Sequence, residues 1–270
     1  MDAVEPFILA EAGLLRLADW EEQIPGLSAG FTTRRWGNMS FQGAEEPDQV
    51  VRRRRQAAER LGLPFSGWTF AEQVHHAHVV RIDADLRGSG RKNLQEAIAG
   101  ADGLSTESAN TVLALLFADC VPLYFCVPER GVLALAHAGW RGTTKNMAAS
   151  MLHHLQAHWN ISPQEVWVAI GPSIGKCCYQ VDQPVMDAVA KLLPHCLDQV
   201  SMPQAGERWL LDLKAVNRLL LLMAGVREEN IWLSRYCTAC HPELFYSYRK
   251  ERQHAGRMMA WIGRREEEPR

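Results

Sequence analysis

Three places in this sequence put metal-binding residue types at or near the ends of apolar runs. The run LALAHAGW (residues 133–140) breaks off at His137, and LALLFADC (113–120) breaks off at Cys120. Upstream, EQVHHAHVV (72–80) crowds His75, His76 and His78 together. Strand ends are rigid, and binding sites gather where sheets meet loops. One histidine from the cluster, with Cys120 and His137, would make a three-ligand zinc centre with its fourth position open. That is the catalytic arrangement, as opposed to the closed structural one. Zinc in such a site lowers the pKa of its water from about 15.7 to about 7, which supplies hydroxide at neutral pH. The same Cys120 and His137 would also serve a thiol hydrolase, as nucleophile and base. Residue chemistry alone leaves both readings open, beside the plainer one of a buried cysteine and a hydrogen-bonded core histidine.

The elements that must position these residues follow from hydrophobic spacing. TVLALLFADC, LYFCV and GVLALAHA are apolar runs separated by Pro or Gly and read as buried central strands. EVWVAIG is another, and NIWLSRY and GRMMAWIG are strands near the end of the sequence. TFAEQVHHAHVVRID has the aromatic and β-branched content of a strand pair. DQVVRRRRQAAERLG (48–62) reads as a helix with Asp48 as N-cap and Gly62 as its stop. TTKNMAASMLHHLQAHW reads as an amphipathic helix capped by Thr143 or Thr144, and DQPVMDAVAKLL and DLKAVNRLLLLMAG as two more. The class expected is α+β: one compact domain over residues 1–270, with mixed sheets forming a sandwich-like core flanked by helices.

Bulk properties narrow the function. The 270 residues are 47% hydrophobic and 22% charged, the balance of a globular chain with a real core. A net charge of −2 provides no basic field for a nucleic-acid backbone. The run Arg52–Arg55 reads mainly as the solvated face of its helix. No apolar run approaches the roughly 20 residues of a membrane span, and MDAVEPFILAEAGLL lacks the pattern of a signal peptide. A cytoplasmic protein is expected, its seven cysteines serving as thiols or metal ligands. Oligomeric state is not legible.

The ordered set GFTTRRWGNMS, EQVHHAHVV, ADGLST, FADCVPLYF, AHAGWRGT, AIGPSIGKCCYQV, LLDLKAVNRLLL, CTAC…FYSYRK and GRMMAWI resembles the bacterial YfiH/YlmD family. That family is also called the laccase-domain or multicopper polyphenol oxidase family, and the resemblance runs from Phe31 to Ile262. It implies one zinc held by His75, Cys120 and His137, with copper as the competing metal. It further implies a purine nucleoside and phosphate as substrates: phosphorolysis of adenosine, inosine and guanosine, cleavage of methylthioadenosine, and deamination of adenosine. Two departures stand out. His76 replaces the glycine that usually follows the motif histidine, and RWGNMS carries fewer glycines than the family's loop. Adjacent residues of a strand face opposite ways, so only one of His75 and His76 can reach the metal, and His75 holds the motif position.

Phosphorolysis needs an anion site, and arginine's planar fork suits phosphate. The candidates are Arg34 in FTTRR, Arg54 in the basic run and Arg141 directly after the metal-binding strand. The resemblance favours Arg54 as catalytic. A local salt bridge competes for Arg141. Asp119 could orient a histidine, act as acid or base on the nucleobase, or tie down its own turn. Asp102 reads first as a turn residue before Gly103, and Ser40 and Gln73 as contacts to sugar hydroxyls or a base edge. Cys177 and Cys178 read as packing. CTACH (237–241) matches a haem-attachment or thiol-pair pattern without the surroundings either needs.

Two other enzyme classes remain, alongside a non-catalytic zinc scaffold. A copper-dependent polyphenol oxidase would need a rich histidine supply, which is thin here beyond His76-Ala77-His78 and the helical His153, His154 and His158. A cysteine or metal amidase editing cell-wall precursors would use Cys120 and His137, and is an activity also linked to the family.

Overall fold

A computed structural model describes residues 4–43 and 45–266. Strands are numbered β1 to β15 in chain order. The first sheet runs β1 (Phe7–Ala10), β2 (Leu14–Leu17), β3 (Leu27–Thr32), β15 (Met258–Arg264), β7 (Val112–Phe117) and β4 (Trp68–Phe70). The second runs β14 (Ile231–Leu233), β10 (Trp167–Ile170), β8 (Val121–Val127), β9 (Val132–Ala138), β6 (Gly103–Thr106) and β5 (Val79–Arg81). Both mix parallel and antiparallel neighbours. A small third sheet joins β11 (Gln180–Val181), β13 (Arg208–Leu211) and β12 (Ser201–Gln204). Helices are α1 (Ala18–Gln23), α2 (Pro47–Leu61), α3 (Trp140–Thr144), α4 (Met147–Trp159), α5 (Gln183–Leu192), α6 (Leu197–Val200), α7 (Leu213–Met223) and α8 (Tyr248–Glu251).

The two large sheets lie face to face. Side chains alternate along each strand, so a strand in such a layer shows one set of residues inward and the other outward. Leu113, Leu115 and Phe117 of β7 meet Leu133 and Leu135 of β9 and Tyr124 of β8 between the sheets. The opposite residues of β8 and β9, among them Leu123, Phe125 and Ala134, pack on α4, α5 and α7. Val112 and Ala114 of β7 pack on α2. The result is helix, sheet, sheet, helix: the α+β sandwich with mixed sheets that the apolar runs imply.

Several local expectations are corrected. TFAEQVHHAHVVRID is no strand pair: β4 pairs with β7 in one sheet and β5 with β6 in the other, and a loop carries the histidines between them. The 48–62 helix begins at Pro47 after Glu46, because proline's fixed φ suits the first turn. Gly62 does stop it, with a left-handed φ of 61°. Thr143 and Thr144 end the short α3; Asn146 caps α4, its side chain accepting from Ala149 N. Within the basic run, Arg52 and Arg55 face solvent while Arg54 is 1% exposed.

Candidate metal centre and active-site cavity

Pleat alternation puts His137 on the inter-sheet face of β9, on the same side as Leu133 and Leu135. It lies one residue before the strand ends, 3% exposed, with its ring 5.4 Å from that of Phe117. Cys120 is the last residue of the turn that carries the chain from β7 in the first sheet to β8 in the second. His75 comes from the loop between β4 and β5 and has φ +61°, as does Gln73. The ligand atoms of His75, Cys120 and His137 lie within 4.8 Å of one another. The two imidazoles meet nearly at right angles, centroids 4.8 Å apart. Gly139 passes close behind this group: a Cβ there would sit 2.9 Å from Cys120 Sγ and 3.3 Å from the His75 ring.

Asp102 holds this arrangement together. It is fully buried, its Oδ1 accepts from His137 Nδ1 (2.9 Å) and His75 N (3.0 Å), and its Oδ2 accepts from His76 N (2.7 Å). Its carbonyl also accepts from His137 N at 2.7 Å. Burial works against the carboxylate, yet the hydrogen bonds from His137 and the two loop amides outweigh it and lower the pKa. With Nδ1 occupied, His137 offers Nε2 to a metal, the carboxylate–histidine pairing common to such ligands. Cys120 and His137 reinforce each other. Burial opposes the thiolate, but His137 and then His75 bring Cys120 down to about 6. Burial likewise opposes the imidazolium, but Cys120 and Asp102 raise His137 to about 9. The donor set, its spacing and its oriented histidine fit a zinc-sized ion.

His76 points elsewhere, with Lys145 Nζ 3.1 Å from its Nδ1. The two histidines diverge because His75 takes a left-handed φ in a loop, not because of strand pleating.

The triad lines a cavity of about 360 Å³, within the range of small-molecule sites. Ser40, Arg54, Gln73 and Arg141 line it; Arg34 and Asp119 do not. Arg54 is sandwiched between Phe41 and Phe70, 4.3 and 3.8 Å from their centroids. Its Nε and Nη2 donate to Met39 O and its Nη1 to Gly90 O. Burial draws its pKa to about 9, so it is cationic at neutral pH. Arg141 makes no ion pair among the described residues and rests 4.3 Å over the Trp140 ring. The salt bridge weighed for it is absent there. Gln73 forms a two-way amide pair with the Leu116 backbone (both 2.8 Å). Ser40 Oγ accepts from Gln42 N and keeps its hydroxyl proton to donate.

Arg34 is engaged outside the cavity, donating to Pro242 O and pairing with Glu251. Asp119 is fixed behind the wall: Thr238 Oγ1 (2.6 Å), Ser247 Oγ (3.0 Å) and Arg249 N (2.6 Å) donate to its carboxylate. These bonds hold its φ at +84° and so aim Cys120. The histidine-orienting carboxylate is Asp102, read from the sequence as a turn residue. Only the pairing of Gly103 with Ala136 places it opposite His137. Arg257 and Tyr248 in the cavity wall escaped the sequence reading too. So did the convergence of Cys177, Cys178, Cys237 and Cys240.

Residues 25–265 match the family described as multi-copper polyphenol oxidoreductase laccase, and the chain belongs to this family, the YfiH/YlmD group. It is 43% identical over 251 residues to purine nucleoside phosphorylase YlmD of Geobacillus stearothermophilus, covering 90% of this chain and 92% of that protein. It is 36% identical over 278 residues to purine nucleoside phosphorylase YlmD of Bacillus subtilis, covering 98% and 100%. Among solved structures, YlmD from Geobacillus stearothermophilus superposes with a TM-score of 0.93 at 40% identity, over 97% of this chain and all of that one. The Bacillus licheniformis hypothetical protein YfiH gives 0.92 at 35%, with the same coverage.

Proposed function

We propose that this chain is a purine nucleoside phosphorylase that also deaminates adenosine, working at a zinc centre held by His75, Cys120 and His137. The observation that carries this reading is the triad, with Asp102 on His137, in the wall of a cavity that Arg54, Arg141 and Arg257 also line. Relatives named purine nucleoside phosphorylases support it over nearly the whole chain. Adenosine, inosine, guanosine and methylthioadenosine are the proposed substrates.

When bound, zinc supplies a Lewis acid that activates water at neutral pH. The protein's own part is binding and orientation. Arg141, exposed in the cavity wall and without an ion pair among the described residues, grips phosphate with its planar fork. Arg54 adds a fixed positive charge that its two aromatic neighbours keep in place. Ser40 donates to a sugar or base oxygen. In phosphorolysis a phosphate oxygen attacks the ribose carbon as the bond to the purine breaks, giving free base and ribose 1-phosphate. In deamination a water oxygen displaces ammonia from the purine ring. Holding both reactants in one cavity supplies much of the rate.

A second reading draws on Cys120 at about 6 beside His137 at about 9, a thiolate–imidazolium pair with Asp102 behind it. Without metal these residues form a Cys–His–Asp nucleophile set, as in a thiol amidase. A copper polyphenol oxidase finds less support: among the described residues, a single group of potential ligands contains histidine.

The test compares wild type with Cys120→Ala, both purified without added metal. Zinc and copper are counted by elemental analysis, and products from adenosine are separated with and without phosphate. The expected result is about one zinc fewer per chain in the variant, with adenine formed only when phosphate is present and inosine formed without it, both lost in the variant. A wild type whose metal is unchanged by Cys120→Ala and which leaves nucleosides intact refutes the proposal and favours the amidase.

A further inference from the structure

Outside the cavity lining, two loops bring four cysteines together. Cys177 and Cys178 follow β10, and Cys237 and Cys240 follow β14. Their four sulfurs lie within 4.8 Å of one another, with Cys240 Sγ 3.4 Å from both Cys177 and Cys178. All are free thiols. Four sulfurs each about 2.3 Å from a tetrahedral centre lie about 3.8 Å apart, so the cluster already has the dimensions of a tetrathiolate site. Cys237 and Cys240 keep the two-residue spacing that zinc sites use, and Gly175 N–H donates to Cys237 Sγ at 3.1 Å. The loops are laced together besides, with Thr238 N donating to Ser173 O at 3.0 Å.

The surroundings suit an anionic centre. Lys214 of α7 is 6% exposed and donates to Ser234 O and Tyr236 O at 2.7 and 2.9 Å. Burial disfavours its charge, while Asp212, Glu5, Cys237 and Cys177 act to keep it. Ile174 and Ala239 pack on the inner side of the cluster, and Cys177 and Cys240 face solvent, leaving a way in.

We propose that Cys177, Cys178, Cys237 and Cys240 bind a second, structural zinc ion, distinct from the one assigned to the histidine site. Four protein thiolates complete the tetrahedron and leave no position for water or substrate. On binding, each thiol releases its proton to solvent, so the filled site is a dianion that the Lys214 ammonium partly neutralises. Thiolate softness and tetrahedral geometry favour zinc over magnesium or calcium. The ion clamps the loops that brace Cys120: Ile174 N donates to Asp119 O at 3.0 Å and Thr238 Oγ1 to Asp119 Oδ1 at 2.6 Å. The proposal stands on the cysteine geometry alone and does not depend on the purine chemistry.

The test loads cobalt(II) or zinc into three full-length chains: wild type, Cys120→Ala, and the double variant Cys177→Ser with Cys240→Ser. Cys120→Ala is expected to keep one equivalent of metal and the visible bands of tetrahedral cobalt bound to thiolates. The double variant is expected to lose one equivalent relative to wild type and to keep only the weaker absorption of cobalt bound by the single thiolate of Cys120. Should the double variant fail to fold, Cys120→Ala alone decides. Its native mass must show one zinc, and a chelator must lower its melting temperature. A Cys120→Ala chain that binds no metal, or a double variant with wild-type metal content, overturns the proposal. So does a disulfide among these four cysteines that persists in protein purified under reducing conditions.

Discussion

Asp102→Asn changes one buried oxygen to an amide nitrogen and leaves size almost unchanged, so its effect isolates hydrogen bonding. In the native site Oδ1 accepts from His137 Nδ1 and His75 N, and Oδ2 from His76 N. Asparagine can satisfy one side only. With its oxygen toward His137 and His75, its NH2 meets the His76 N–H, donor against donor. Turned the other way, the NH2 faces His137 Nδ1, which must then accept, so the ring's proton moves to Nε2 and blocks metal binding. Either pose loses a charge-assisted hydrogen bond or strands a donor, each worth about 1.5–3 kcal/mol. A loss of roughly 2 kcal/mol lowers the melting temperature of a chain this size by about 4–8 °C. Metal affinity is expected to fall about 10–100-fold, or roughly 1.4–2.7 kcal/mol, as for other partners of ligating histidines. Competition against a chromophoric chelator measures the affinity, and melts with and without chelator measure the stability. A variant that melts lower yet binds metal as tightly as wild type would show that Asp102 merely braces the loop. Wild-type values in both assays would refute the reasoning altogether.

The other predictions concern neighbours of the same site and the sheet interface. Gly139→Ala places a methyl 2.9 Å from Cys120 Sγ, so metal affinity should fall at least about tenfold by the same competition assay while far-UV circular dichroism stays native. His75→Ala should remove one equivalent of metal and His76→Ala none, since His76 is turned toward Lys145; the reverse pattern in elemental analysis would mean that the ligand assignment is wrong. Tyr124→Phe removes the buried hydroxyl that donates to Gly30 O at 2.8 Å across the two sheets, and chemical denaturation should show a loss of about 1 kcal/mol with metal content unchanged.

What the sequence revealed was governed by local physics. The apolar runs of β7, β8 and β9 are legible because both faces of each strand are buried, and so the break at His137 is visible without any coordinates. The helices of residues 47–61, 183–192 and 213–223 follow from spacing and stop signals. Pairing is a long-range property, and here the reading fails. Nothing local says that Asp102 faces His137, that β4 and β5 belong to different sheets, or that Cys177 meets Cys240 across 63 positions. Capping also misled. Thr143 and Thr144 resemble helix caps, but a separate turn of helix intervenes, and Asn146, which tolerates a left-handed φ of 59°, starts α4 instead. Charge patterning alone leaves Arg54 in a solvated run, and only the family resemblance singles it out, because burial of a single arginine depends on the two phenylalanines brought to its faces.

The position of β15 bears on how the chain can be made. It lies between β3 and β7 and, among the described residues, is the only link in the first sheet between the strands 1–3 group and the pair formed by β7 and β4. Translation delivers it after the other fourteen described strands. Until residues 258–264 leave the ribosome, a nascent chain therefore holds two unjoined fragments of one sheet, each with an unpaired apolar edge. Insertion of a single strand satisfies both edges at once, so this sheet is completed only when residues 258–264 are available to pair. A product clipped before residue 258 leaves the facing edges of β3 and β7 without a partner strand, the kind of exposed edge that invites aggregation.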